Sequence, residues 1–248
     1  MKREKKREKK GFFMKRPGVF GNAVVLPLVF LVFIFAFIQC DNGTTSIYEG
    51  KTVVCLGDSL TAGHGATIPG LVDRSKSYPA YLQNKVNIPV INAGVSGNTT
   101  TQGLFRVDAE VLSQNPQIII INLGANDFFQ RIPVTTTRDN LQNIINKVND
   151  GNRKIYLAKF YTKAIAMELF DSFGVTDYDF QTVLDQYDDL FDTLVSENNV
   201  TLIEDIWSGV WGIYMSDLVH PNAKGYEIMA DNIFNVLQPY LRANDLLK

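Results

Sequence analysis

The stretch GDSLTAGHGA, residues 57–66, follows the apolar run TVVCL and places Ser59 in a glycine-flanked turn. A serine hydroxyl is a weak nucleophile until a neutral imidazole takes its proton and a carboxylate orients that imidazole. The chain holds two histidines, His64 and His220, so the choice of base is narrow. Asp217 precedes His220 by three residues in SDLVHPN, close enough for one turn to set its carboxylate against a ring nitrogen. The other nitrogen is then free to face Ser59. Acyl transfer also needs donors aimed at a developing oxyanion. Gly97 in VSGNTT permits close backbone approach, and Asn126 in GAND carries an amide N–H that an aspartate would lack. Each has a plainer reading when taken alone. Gly-Asp-Ser is common turn chemistry, a glycine can simply open a helix, and an asparagine can cap one.

What separates these readings is where the chain puts the residues. From residue 51 onward, short β-rich runs alternate with longer amphipathic stretches. The expected strands are 52–56, 89–92, 117–123, 154–159 and 199–204, several of them continuously apolar, as in QIIIINL. Continuous apolar runs mark strands covered on both faces, as in a parallel sheet. Helices are expected at 78–87, 99–113, 138–149, 179–197 and 222–241, with Pro221 at the first position of the last one. This alternation predicts a three-layer α/β/α, flavodoxin-like fold with about five parallel strands. Residues 161–178 and 205–219 read as long connections rich in aromatics and glycine. In such folds ligands bind beyond the carboxyl ends of the strands. Ser59, Gly97, Asn126 and the Asp217–His220 pair each follow a different strand, so all fall at that one edge.

This order of motifs, GDSL at 57–60, the glycine of VSGNTT at 95–100, GAND at 124–127 and DLVHP at 217–221, resembles the GDSL, or SGNH, hydrolase family. The run is most similar to its arylesterase, thioesterase and lysophospholipase I branch. The resemblance implies that Ser59 is the nucleophile, His220 the base and Asp217 its orienting acid. It further implies an oxyanion hole made by the backbone N–H groups of Ser59 and Gly97 and the side-chain amide of Asn126. It implies hydrolysis of a small-molecule or lipid carboxylic ester or thioester, with no cofactor and no metal. A carbohydrate O-deacetylase is the alternative within the family. A non-catalytic glycan- or lipid-binding lipoprotein is the alternative outside it. An α/β-hydrolase elbow would need glycine two residues after the serine, where Thr61 stands. A flavodoxin-like cofactor site would need a Ser/Thr-rich phosphate loop after the first strand.

The remaining sequence bounds the setting. Nine of the 24 Lys/Arg and two of the 26 Asp/Glu lie in residues 1–16, leaving 15 basic against 24 acidic residues and a net charge of −9 for the rest. A body so acidic does not suit nucleic acid. Residues 18–38 carry no charge, so 1–40 reads as a signal peptide or an N-terminal membrane anchor. Residues 41–50 form a tether, and 51–245 form the hydrolase domain. Cys40 stands where a bacterial lipoprotein would carry its lipid. Either reading puts the domain outside the cytoplasm, membrane-anchored, because the basic end stays inside. Cys55 reads as a small buried hydrophobe. Two histidines and no cysteine cluster give no expectation of zinc. Aspartates 171–192 form a solvated face without a calcium-loop pattern. Phe128, Phe129, Phe160, Tyr161, Trp207, Trp211 and Tyr214 are candidates for an apolar wall around an acyl or aryl group. His64 either lines the cleft or is merely exposed, and Asp58 and Asp127 are expected to hold loops through backbone N–H groups.

Overall fold

The computed structural model describes residues 51–173 and 180–248. The anchor and tether assigned to 1–50, with Cys40, lie outside the described residues. Among the described residues no helix is long and apolar enough to cross a membrane.

Five strands form one sheet: β1 (Val53–Gly57), β2 (Val90–Gly94), β3 (Ile118–Asn122), β4 (Lys154–Ala158) and β5 (Val200–Ile203). The order is β2-β1-β3-β4-β5, and every pairing is parallel. The chain therefore steps from β1 to β2 in one direction and crosses back over β1 to β3 in the other. The gap between the carboxyl ends of β1 and β3 is the point where the order reverses, the place where doubly wound folds open a ligand crevice.

All five residues of β1 and of β3 are buried. Side chains alternate across a strand, so Val54, Leu56, Ile119 and Ile121 enter one core while Val53, Cys55, Ile118 and Ile120 enter the other. The first core is closed by Val107 of α3 (Thr100–Glu110), Leu141, Ile144 and Ile145 of α5 (Val134–Val148), and Leu184 and Phe191 of α7 (Phe180–Glu197). The second is closed by Tyr78 and Leu82 of α2 (Tyr78–Gln83) and by Tyr226, Met229, Ile233 and Leu237 of α8 (Ala223–Ala243). Each such side chain contributes roughly 1.5–3 kcal/mol of burial, and a strand with both faces covered has no polar side to show. Cys55 is fully buried, as expected, and burial pushes its thiol up to about 12, which keeps it un-ionised.

Three expectations need correction, and two short helices were not foreseen. The helix expected over 78–87 ends at Gln83, because the Gln83 side chain turns back to donate to the carbonyl of Ile88 and to accept from the N–H of Val90. One-turn helices α1 (Ser59–Ala62) and α4 (Ala125–Phe129) follow β1 and β3 directly, too short to show a helical period. The connection expected at 161–178 contains helix α6 (Lys163–Phe173), built on KAIAMELF, whose Ala, Met, Glu and Leu are strong helix formers. Pro221 stands outside α8: Asn222 is the cap, its side chain accepting from the N–H of Gly225, and Pro221 instead pairs with Met215.

Candidate active site

The edge at the ends of β1, β2 and β3 gathers every residue expected there. Asp58 is buried and caps α1 by accepting from the N–H of Leu60 at 3.0 Å, which sets Ser59 as the first residue of that helix. Ser59 Oγ lies 3.0 Å from His220 Nε2. His220 Nδ1 lies 2.8 Å from Asp217 Oδ2 and 3.0 Å from Oδ1. With Nδ1–H donating to the carboxylate, Nε2 is left to accept from the serine hydroxyl.

The loop that makes this possible is built around one carboxylate. Asp217 Oδ1 also accepts from the N–H groups of Val219 at 2.9 Å and His220 at 2.8 Å, an Asx turn that curls the imidazole back over its own partner. The base of the loop is closed by Ser216 N–H on the His220 carbonyl and Asn222 N–H on the Tyr214 carbonyl. Gly225 is obligatory beneath it, since a Cβ there would meet the Tyr214 carbonyl oxygen at 2.5 Å.

Electrostatics follow the geometry. Burial holds His220 below the ordinary imidazole value, against the pull of Asp217 in the other direction, and His64 nearby adds to the lowering. Burial pushes Asp217 upward, but the hydrogen bonds from Val219 and His220 outweigh it and hold the carboxyl below the usual range. The pair is thus poised as neutral imidazole beside carboxylate at neutral pH.

Gly97 is the third residue of the turn Val95–Asn98, closed by Asn98 N–H on the Val95 carbonyl at 3.1 Å, and has φ +81. Its requirement is the left-handed backbone, not close approach: nothing lies within 4 Å of where a Cβ would sit. The Asn126 amide donates to the Asn98 carbonyl at 3.0 Å and faces Asp58 Oδ2 at 3.4 Å. Asp127 is buried and accepts from the N–H of Thr100 at 2.8 Å, tying α4 to the start of α3. Asp58 and Asp127 therefore hold loops through backbone N–H groups.

A cavity of about 280 Å³ opens from Ser59 and His220. Phe128, Phe129, Phe160, Tyr161, Trp207 and Trp211 line it, while Tyr214 does not. Trp207 stands edge-on to Trp211, 5.6 Å between centroids, and donates to the Phe160 carbonyl at 2.8 Å. Glu168 of α6 accepts from Trp211 Nε1 at 2.9 Å. Ile165, Ala166 and Leu169 of α6 complete the apolar wall, so the helix unexpected from sequence is part of the site.

Arg106 went unrecognised in the sequence, and His64, expected to line the cleft or be exposed, lines the cavity in contact with His220. Arg106 of α3 is buried and binds both the strand end before Ser59 and the Gly97 loop, through Gly57, Ala93 and Asn98. The available signal was a charge beside Val107 on the core-facing side of a helix. His64 is half-buried, with its ring centroid 4.3 Å from that of His220. No spacing rule links residues so far apart in sequence.

A serine, a carboxylate-held imidazole and an apolar cavity form the constellation of an acyl hydrolase, and comparison agrees. Residues 55–228 match the model of the GDSL-like lipase/acylhydrolase family. The chain belongs to that family. It is a carboxylic ester hydrolase of the serine type. It is 23% identical to esterase TesA of Pseudomonas aeruginosa, covering 77% of this chain and 90% of that one. It is 26% identical to thioesterase 1/protease 1/lysophospholipase L1 of Escherichia coli K12, covering 86% and 92%. A solved structure of TesA superposes with a TM-score of 0.62 at 22% identity, covering 76% of this chain and 98% of that one, a likeness of fold.

Proposed function

We propose that Ser59, His220 and Asp217 carry the hydrolysis, and that the substrate is an ester or thioester with an apolar acyl group. The observation that supports the reading most is the continuous chain from Ser59 Oγ to His220 Nε2 at 3.0 Å and from Nδ1 to Asp217 at 2.8 Å. Ser59 Oγ attacks the acyl carbon while Nε2 takes its proton. The oxyanion is held by the N–H groups of Ser59 and Gly97 and by the Asn126 amide. The imidazolium, stabilised by Asp217, returns the proton to the departing alkoxide or thiolate. Water, deprotonated by the same nitrogen, then cleaves the acyl-enzyme and restores Ser59. The aromatic wall favours a fatty or aryl acyl group over an acetylated glycan, whose hydroxyls would lose water without gaining partners. The names of the relatives, esterase and thioesterase/lysophospholipase, accord with that choice.

The deciding experiment uses the full-length chain in detergent on p-nitrophenyl acetate, butyrate, octanoate and palmitate, beside Ser59→Ala. The variant should lose at least about 10⁴-fold in kcat and should no longer react with a fluorophosphonate. A folded wild-type protein that neither reacts with the fluorophosphonate nor cleaves any ester would refute the assignment and favour a binding protein.

The reading extends to location. The basic segment 1–16 followed by the uncharged run 18–38 supports an extracytoplasmic domain anchored at its N-terminus, with Cys40 as the lipid attachment point. Metabolic labelling with palmitate should mark the wild-type chain and not Cys40→Ser. Equal labelling of both would remove Cys40 from the scheme.

A further inference from the structure

The chain has two histidines in 248 residues, and the fold sets them against one another. We propose that His64, His220 and Asp217 form a binding site for a divalent transition-metal ion such as zinc, and that the bound ion silences the esterase. The silencing rests on the proposed mechanism, whereas the binding does not.

Each of the three residues offers a donor atom within 4.8 Å of those of the other two. Zinc–nitrogen and zinc–oxygen bonds of about 2.0–2.2 Å place tetrahedral ligands roughly 3.3 Å apart. The side chains must therefore close by at most roughly 1.5 Å, a change that torsions at a solvent-facing mouth can supply. Two imidazoles and one carboxylate suit zinc, copper or nickel and not magnesium or calcium. Three protein ligands leave a fourth position for water.

The scaffold holds the donors in place. His64 N–H donates to the Ser59 carbonyl at 3.0 Å, and the His64 carbonyl accepts from Tyr226 of α8 at 2.8 Å. Among the described residues the His64 ring has one hydrogen bond, a long one from Nδ1 to Ser96 Oγ at 3.5 Å, so little is lost when the ring turns to an ion. Asp217 and His220 already set a carboxylate oxygen and a ring nitrogen 2.8 Å apart, two donors that one ion can bridge.

The nitrogen of His220 that can share an ion with Asp217 is Nδ1, 2.8 Å from that carboxylate, and not Nε2 on the far side of the ring. An ion on Nδ1 displaces the hydrogen held by Asp217 and forces Nε2 to carry one, so it can no longer accept. No covalent change occurs, and removal of the ion restores the base.

The test uses the full-length chain in detergent. Zinc chloride should inhibit p-nitrophenyl butyrate hydrolysis at micromolar concentration, EDTA should restore the rate, and magnesium should do nothing. In His64→Gln the half-inhibitory zinc concentration, measured against that variant's own zinc-free rate, should rise at least about tenfold. Calorimetric titration of zinc into Ser59→Ala, which needs no activity, should show one site that His64→Gln in the same background weakens equally. Absence of zinc binding up to millimolar concentration, or binding and inhibition unchanged by His64→Gln, overturns the proposal. Zinc binding to the correct site without inhibition would instead count against the role of His220 as base.

Discussion

The guanidinium of Arg106 donates through Nη2 to the carbonyl oxygen of Gly57 at 2.6 Å, two residues before the serine. Its Nη1 reaches the Ala93 carbonyl at 2.6 Å and its Nε the Asn98 side chain at 2.8 Å. One buried cation thus fixes the end of β1 and the Gly97 loop relative to each other. Arg106→Met keeps the volume but takes a donor from two buried carbonyls, of which Gly57 keeps the Val95 N–H, and removes the partner of the Asn98 and Glu110 side chains. It should cost roughly 3–5 kcal/mol, lowering Tm by roughly 6–20 °C, and should reduce kcat more than it raises KM. A variant with unchanged kcat at a temperature where it remains folded would show that Arg106 serves stability alone.

Asn126 has two amide hydrogens, and one is committed to the Asn98 carbonyl. The other faces Asp58 at 3.4 Å, a contact long enough to leave it for an oxyanion. Asn126→Ala should therefore remove about 3 kcal/mol of transition-state stabilisation, roughly 100-fold in kcat, with KM little changed. Steady-state kinetics on p-nitrophenyl butyrate check this, and a loss confined to KM would reassign Asn126 to substrate binding.

The parts of this site that were legible in the sequence are those in which chemistry restricts residue type. A nucleophile, a base and its acid must be Ser, His and Asp or close equivalents, and each follows a strand whose apolar run announces it. Packing partners carry no such restriction. Arg106 is one charge among 24 basic residues, and only tertiary structure reveals that it is buried on backbone carbonyls. Helix α6 lay hidden because its aromatics and the glycine that follows suggested a loop, although its interior is made of helix formers. Pro221 was expected at the first position of α8 because its fixed φ suits a helix start, whereas the hydrogen bond from the Gly225 N–H makes Asn222 the cap and leaves Pro221 outside. The contact of His64 with His220 joins loops after β1 and β5, which are not neighbours in the sheet, and depends on the long return of the chain after β5 and on Tyr226 of α8 holding the His64 carbonyl.

Burial pushes the Asp58 carboxyl up to about 7, against the hydrogen bond from Leu60, with Asp127 nearby adding to the rise. Between about pH 4 and 7 the folded chain keeps a proton that the unfolded chain has released. The stability this group contributes is then fully present below the unfolded value and is lost as pH rises through the folded one. Asp58→Asn retains an oxygen for the Leu60 N–H and cannot titrate. Its stability relative to wild type should rise by about 1–4 kcal/mol between pH 4.5 and 8. Urea unfolding at both pH values measures the difference, and a pH-independent difference would mean that Asp58 ionises normally in the fold.

Acyl selectivity should reside in α6. Ala166 is buried and lines the cavity, on the turn that precedes Leu169 and beside Glu168, which anchors Trp211. A larger side chain at 166 should shorten the apolar space without touching Ser59, His220 or the proposed oxyanion donors Gly97 and Asn126. Ala166→Phe should therefore lower kcat/KM for p-nitrophenyl octanoate at least about tenfold, since each methylene excluded from an apolar pocket costs about 1–3 kcal/mol. Hydrolysis of the acetate should change little, because its acyl group ends before the obstruction. The ratio of the two rates is the informative quantity, since overpacking typically costs about 1–3 kcal/mol of stability and a partly unfolded sample would lose both activities together. An unchanged ratio would place the acyl chain elsewhere, along the exposed surface beyond Phe129 and not beneath the tryptophan pair.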